Sequence, residues 1–155
     1  MKPDNGRSSR STGSRQAHGR AGENLACKFL ESRDYSIIET NYRSRYGEID
    51  IIARRGGVIA FVEVKTRLGR SHGEPFEAVG ARKQAQIRRM AEMWLAGHRR
   101  DRALSECVFR FDVISVKMDG RSPAGGKANF DGSEGTRPAG VKKIPGIEHI
   151  EDAFR

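Results

Sequence analysis

Three side chains have the makings of a reacting set: Asp50, then Glu63, with Lys65 two positions beyond it. Two carboxylates and an ammonium can hold a hard divalent cation and steer a water molecule beside it. Whether they meet depends on residues 47–66, GEIDIIARRGGVIAFVEVKT. The segment reads as two short strands joined at Gly56-Gly57, and a two-residue Gly-Gly turn pairs Arg55 with Val58. In that register Asp50 stands opposite Glu63, Glu48 opposite Lys65 and Ile52 opposite Phe61, with opposed Cβ atoms about 4.5–5.5 Å apart. A three-residue loop would move every pairing by one. Facing carboxylates repel, and both faces of the hairpin are otherwise apolar, so both are expected to be covered. A divalent cation between Asp50 and Glu63 removes the repulsion, and Lys65 would sit beside it. The plain alternative is an amphipathic hairpin with its charges in water and a Glu48–Lys65 salt bridge.

The neighbouring elements must hold that hairpin. Residues 17–32 have helical periodicity through Ala21, Leu25, Ala26, Phe29 and Leu30. On that helix Glu23 lies about 20° from Leu30 and about 40° from Cys27, at the edge of the apolar face. It either points along the sheet surface or favours the positive end of the helix. Residues 35–42 (YSIIETNY) read as a strand. Arg43 and Arg45 precede the hairpin, and Arg67 and Arg70 follow it. Cations on both sides of an acidic pair are what an approaching phosphate backbone needs, since a bare acidic pocket repels it.

Residues 68–77 (LGRSHGEPFE) read as a loop, a candidate flap carrying His72. A second helix over residues 80–97 has an apolar stripe of Ile87, Met90, Ala91, Trp94 and Leu95. Its flank of Arg82, Lys83, Gln86 and Arg89 is either a hydrated face or a nucleic-acid contact. Gln84, near the helix start, is placed to reach the end of the second hairpin strand. Residues 106–118 (ECVFRFDVISVKM) are apolar on both faces and should form a central or nearly central strand. Within it Asp112 reads as structural, paired with a nearby arginine. Residues 119–141 carry six glycines and two prolines in 23 positions and read as a flexible loop. Residues 144–150 offer a short edge strand and 151–154 a closing helical turn.

The 155-residue length suits one domain with a real core. Residues 1–16 offer almost nothing to bury and are expected to be a disordered basic tail, leaving 17–155 as the domain. The net charge of +9, of which +4 lies in residues 1–20, favours polyanions, nucleic acid before membrane. A soluble protein with a basic tail is the bland alternative. Cys27 and Cys107 fit no metal or redox spacing, and His18, His72, His98 and His149 form no HxH or HxxxH pair, which argues against zinc. No apolar run reaches the roughly 20 residues of a membrane span. No apolar stretch follows the basic N-terminus, so no secretory signal is expected and the cytoplasm is the expected location.

The order helix, strand, hairpin, helix, strand and small C-terminal element resembles the PD-(D/E)XK nuclease superfamily. Its Asp and Glu-x-Lys positions match Asp50 and Glu63-Val64-Lys65. More closely, GRAGENLACKFL, NYRSRYGEIDIIA and FVEVKTR resemble the YraN-type family of uncharacterised bacterial proteins, described as endonuclease-like and similar to archaeal Holliday junction resolvases. The resemblance covers residues 17–117, and IEHIEDAF resembles the family's ending. It implies an α/β fold with a restriction-endonuclease-like core, a mixed central β-sheet flanked by helices. It also implies metal-assisted phosphodiester hydrolysis, with Mg²⁺ or Mn²⁺ on Asp50, Glu63 and the carbonyl of Val64. Lys65 would orient or deprotonate the attacking water. The resolvase likeness puts an early helix glutamate, here Glu23, in the site, with Glu48 tuning Lys65 or supporting it from behind. Arg43, Arg45, Arg67 and Lys83 would position the nucleic acid, DNA first. Resolvases act as symmetric dimers, so a homodimer fits. Two rival readings are a nucleic-acid-binding module that has lost cutting and a protein-interaction scaffold with an incidental basic surface.

Overall fold

The computed structural model describes residues 10–68, 79–118 and 146–154. The expected flap with His72, most of the basic tail and the Gly-rich loop lie outside them.

Helix α1 (Arg10–Glu31) begins before the expected residue 17, so residues 10–16 are helical rather than disordered. It buries Ala26, Phe29 and Leu30 and stops at a turn where Asp34 takes φ +64. Three strands follow as an antiparallel meander: β1 (Ser36–Ser44), β2 (Gly47–Arg55) and β3 (Val58–Leu68). The chain then crosses through α2 (Ala81–Gly97) and the short α3 (Arg102–Ser105), whose first turn is capped by Asp101. It returns as β4 (Val108–Met118), parallel to β3, and ends in β5 (Ile147–Phe154), antiparallel to β4. The sheet order is β1-β2-β3-β4-β5.

Both faces of the sheet are covered by helices, because both faces are apolar. Under α1 lie Ile51, Ala53, Ala60, Val62, Ile114 and Val116. Under α2, whose stripe is Ile87, Met90, Ala91 and Trp94, lie Ile49, Ile52, Phe61 and Val113. Each large side chain buried this way contributes about 1.5–3 kcal/mol. The double cover expected for the hairpin is therefore present, and β4 is interior as expected. Its first residues differ from expectation: Val108 and Phe109 are 63% and 45% exposed. The pairing with β5 starts only at Phe111↔Phe154, so β4 projects beyond its neighbour there. Residues 151–154 extend β5 instead of forming a helical turn. Local pattern favours a turn, but pairing with β4 prevails.

A buried polar cluster fastens β5 to β4. The Asp112 carboxylate is fully buried and accepts from Arg110 Nε (2.9 Å), His149 Nε2 (2.9 Å) and the Asp152 amide (3.0 Å). Arg110 also donates to Glu151 (2.9 Å) and to the Tyr35 hydroxyl. Burial alone would raise the Asp112 pKa, but the hydrogen bonds from His149, Arg110 and the Asp152 amide outweigh it and hold the carboxyl below 3.8. Asp112 is structural and paired with an arginine, as its sequence setting implies.

Candidate functional site

The hairpin turn has the expected register. Gly56 holds φ +58, Arg55 pairs with Val58, and the ladder runs on to Ile51↔Val62. There the pairing stops. Asp50 and Glu63 are not ladder partners, and neither are Glu48 and Lys65, which corrects the expected opposition. Instead the Asp50 side chain enters the opening, and its Oδ2 accepts the Val64 N–H at 2.7 Å. The β1 side keeps its register at this level, its one shift lying between Ile37 and Glu39. Pairing passes from Thr40↔Ile51 to Tyr42↔Ile49, skipping Asn41, which holds φ +55. Asn41 Nδ2 turns to α1 and donates to Glu23 Oε2 at 3.1 Å.

Asp50 and Glu63 are 8% and 4% exposed. Glu63 is flanked by two ammonium groups: Lys65 Nζ lies 2.6 Å from Oε1, and Lys83 Nζ, from the first turn of α2, lies 3.0 Å from Oε2. The Lys83 approach lacks hydrogen-bond direction, so Oε2 is buried without a hydrogen-bond partner. Asp50 fares worse. Burial first, then the Glu63 charge, push its carboxyl up from 3.8 to about 7, against the opposite pull of the Val64 amide and Lys83; Glu23 adds a smaller upward push. Two carboxylates in one corner of the sheet, one of them short of counter-charge, attract a cation.

Close backbone approach sets the corner. A Cβ on Gly22 would lie 1.9 Å from Thr66 Oγ1, so only glycine lets α1 sit this close to β3 and bring Glu23 to the site edge. Gly47 holds φ +139, and its missing Cβ leaves room for the Gln86 amide, which donates to the Tyr46 carbonyl at 2.7 Å.

The remaining expected residues divide. Glu48 bonds Arg43 at 3.1 Å across β1–β2 and does not touch Lys65. Arg45 stacks on Tyr46, with its guanidinium carbon 4.8 Å from the ring centre. Arg67 lies two residues past Lys65 on β3. Gln84 donates to the Val79 carbonyl at 2.8 Å, closing its own helix start instead of reaching β3. Lys83, expected as a nucleic-acid contact, is inside the acidic corner. Its position was readable: 83, 87, 90 and 94 lie on one helical stripe, so Lys83 shares the face of Ile87, Met90 and Trp94. Asn41 and Gln86 were missed as supports. Asn41 carried no local signal, and Gln86 was visible only as part of the polar flank.

Among the described residues no three Asp, Glu, His or Cys side chains converge as a metal cage, so Glu23 does not complete a three-carboxylate set. Mg²⁺ does not require one. It keeps several waters and is commonly held by one or two carboxylates together with phosphate oxygens. The buried Asp50–Glu63 pair, with Asp50 short of counter-charge, fits that mode of binding.

A mixed five-stranded sheet between helices, with Asp50 on one strand and Glu63-Val64-Lys65 on the next, defines an α/β protein with a nuclease-like core. The chain belongs to the uncharacterised protein family UPF0102, the YraN-type family, whose model matches residues 22–116. It is similar to UPF0102 proteins of Geobacter metallireducens (50% identity over 88% of this chain and 90% of the relative) and Trichlorobacter lovleyi (44% identity, 90% and 91%). A third relative, from Caldicellulosiruptor bescii, is 47% identical over 67% of this chain and 85% of its own length.

Proposed function

We propose that the chain is a metal-dependent nucleic-acid phosphodiesterase, a structure-specific DNA endonuclease of the resolvase-like kind. The observation that carries this reading is Asp50, a buried carboxylate set beside a second one and raised to about 7. A fold tolerates such a pair when a bound cation offsets the desolvation and repulsion. Mg²⁺ or Mn²⁺ would be held by Asp50, Glu63 and the Val64 carbonyl, and when bound would supply Lewis acidity toward a phosphoryl oxygen.

The protein's own groups do the rest. Lys65, held 2.6 Å from Glu63, is placed to orient a water and to stabilise charge growing on the phosphoryl oxygens. Lys83 neutralises Glu63 and, with a metal ion on Glu63, would be free to meet a phosphate. Glu23 and Asn41 fix water at the edge of the site, and Arg43, Arg45 and Arg67 hold the strand. Hydrolysis adds water across one P–O ester bond, and the leaving oxygen takes a proton from solvent.

One observation favours a second reading, a nucleic-acid-binding module without cutting: Lys65 and Lys83 already neutralise Glu63. A Mg²⁺-dependent cleavage assay on branched, flapped and single-stranded DNA separates the two, with Asp50→Ala as control. Cleavage abolished in the variant supports hydrolysis. Tight binding with no cut in either Mg²⁺ or Mn²⁺ leaves only the binding module. A symmetric dimer belongs to the resolvase-like reading, and sedimentation of the chain with and without DNA tests it.

A further inference from the structure

Beside the acidic corner, α2 and the β1–β2 turn enclose a cleft of about 340 Å³ lined by Tyr46, Arg82, Ala85, Gln86 and Arg89. Arg89 lies over the Tyr46 ring, its guanidinium carbon 3.6 Å from the centre, and Arg45 approaches the same ring at 4.8 Å. Among the described residues no carboxylate pairs with Arg45, Arg82 or Arg89. Elsewhere arginines do find acids: Arg43 with Glu48, Arg55 with Glu151, Arg110 with Asp112.

A basic helix face is commonly only hydrated, but three features set this one apart. The arginines border a concavity. The wall opposite α2 is fixed, since Gln86 is bonded to the Tyr46 carbonyl and Gly47 permits the close approach. And Arg89 and Arg45 are held by the Tyr46 ring, which orients a guanidinium without using up its N–H donors. The cleft also borders the same helix as the acidic corner. Lys83, at Glu63, and Arg89 are six residues apart on one helix, about 9 Å along its axis.

We infer that this cleft is a phosphodiester subsite that takes a backbone phosphate neighbouring the one at Asp50 and Glu63. Arg82 and Arg89 supply the donors, and Tyr46 holds Arg89 in place. The inference rests on the nucleic-acid reading above for the identity of the anion. It adds a place for that anion which the acidic motif does not contain.

The test is fluorescence anisotropy of a short labelled single-stranded oligonucleotide with the full chain in EDTA, across a salt series. The Arg82→Ala/Arg89→Ala pair should bind roughly tenfold or more weakly, and its salt slope should flatten by about 0.7 for each phosphate no longer neutralised. The control pair Arg99→Ala/Arg100→Ala, in the turn just past the far end of α2, should bind as wild type does. Equal weakening in both pairs, or none in the first, overturns the subsite. If the alanine pair fails to fold, Arg82→Gln/Arg89→Gln is read in its place by the same criteria. Failure here is distinct from failure of the hydrolytic reading. A strand held through the cleft but never cut in Mg²⁺ ends the hydrolysis proposal alone. A strand that wild type cuts, and that the Arg82/Arg89 pair binds undiminished, ends the subsite alone.

Discussion

Asp50 carries a pKa near 7 in the fold and 3.8 as a free group. Between those values the folded chain holds a proton that the unfolded chain has released. Its contribution to stability therefore falls as pH rises from about 4 to 7 and stays low above that. Asp50→Asn keeps an oxygen for the Val64 amide and carries no charge. In EDTA at pH 8 it should melt higher than wild type, by several degrees for each 1–2 kcal/mol or so regained. At pH 4 the two should melt together. Mg²⁺ should raise the wild-type melting temperature at pH 8 and leave the variant's nearly unchanged; an equal rise in both would remove Asp50 from the metal site. Lys83→Met tests the neighbouring cation. Lys83 is 28% exposed, so its loss from Glu63 should cost a modest 1–2 kcal/mol or so in EDTA. Mg²⁺ should then restore more stability to the variant than it adds to wild type, as calorimetric melting would show. An identical Mg²⁺ increment would mean that Lys83 and the ion do not compete.

At the scale of elements, the packing of α1 on β3 decides where Glu23 stands. Gly22→Ala gains about 1 kcal/mol in helix propensity but drives a Cβ to 1.9 Å from Thr66 Oγ1 and 3.1 Å from Thr66 Cβ. Overpacking of this kind costs about 1–3 kcal/mol, so the net effect should be destabilising in urea denaturation. Gly13, on the same helix with nothing within 4 Å of its missing Cβ, is the control: Gly13→Ala should be neutral or slightly stabilising. What the chain revealed in advance follows the range of the forces involved. The Gly56-Gly57 turn and its register were legible because turn chemistry is local, and the two covered faces because apolar residues occupy both. The opening of the ladder at Asp50 was not. It depends on a Val64 amide that bonds the Asp50 side chain instead of a strand partner. Lys83 was legible as a member of a buried stripe, yet its charge drew it toward the surface in a reading by composition. The Glu151–Phe154 stretch became strand because β4, more than thirty residues upstream, offers it an edge.

For the molecule as a whole, two carboxylates pull the pH profile in opposite directions. Asp112 has a depressed pKa, so its contribution is complete above 3.8 and is lost as pH falls through its lower folded value. Asp50 weakens the fold above about 4. Together they place the stability maximum of the metal-free chain on the acid side of neutrality, near pH 4–5, and Mg²⁺ should move it upward. Thermal melts from pH 3 to 8, with EDTA and with Mg²⁺, check this; a metal-free maximum at pH 7 or above would contradict it. Asp112→Ala should be the harsher lesion, at about 3–5 kcal/mol, because it strips buried His149 and the Asp152 amide of their acceptor and takes one of the two acids from Arg110. Among the described residues no helix is long and apolar enough to cross a membrane.

The way β5 is fastened has one further consequence. Its grip on β4 consists of ladder hydrogen bonds from Phe111↔Phe154 to Val116↔Ile147, the Lys117 amide on the Gly146 carbonyl, and the Asp112 cluster. None of these needs a continuous peptide between Met118 and Gly146. A chain nicked in that interval should therefore remain whole in solution, and two separately expressed fragments should reassemble by complementation.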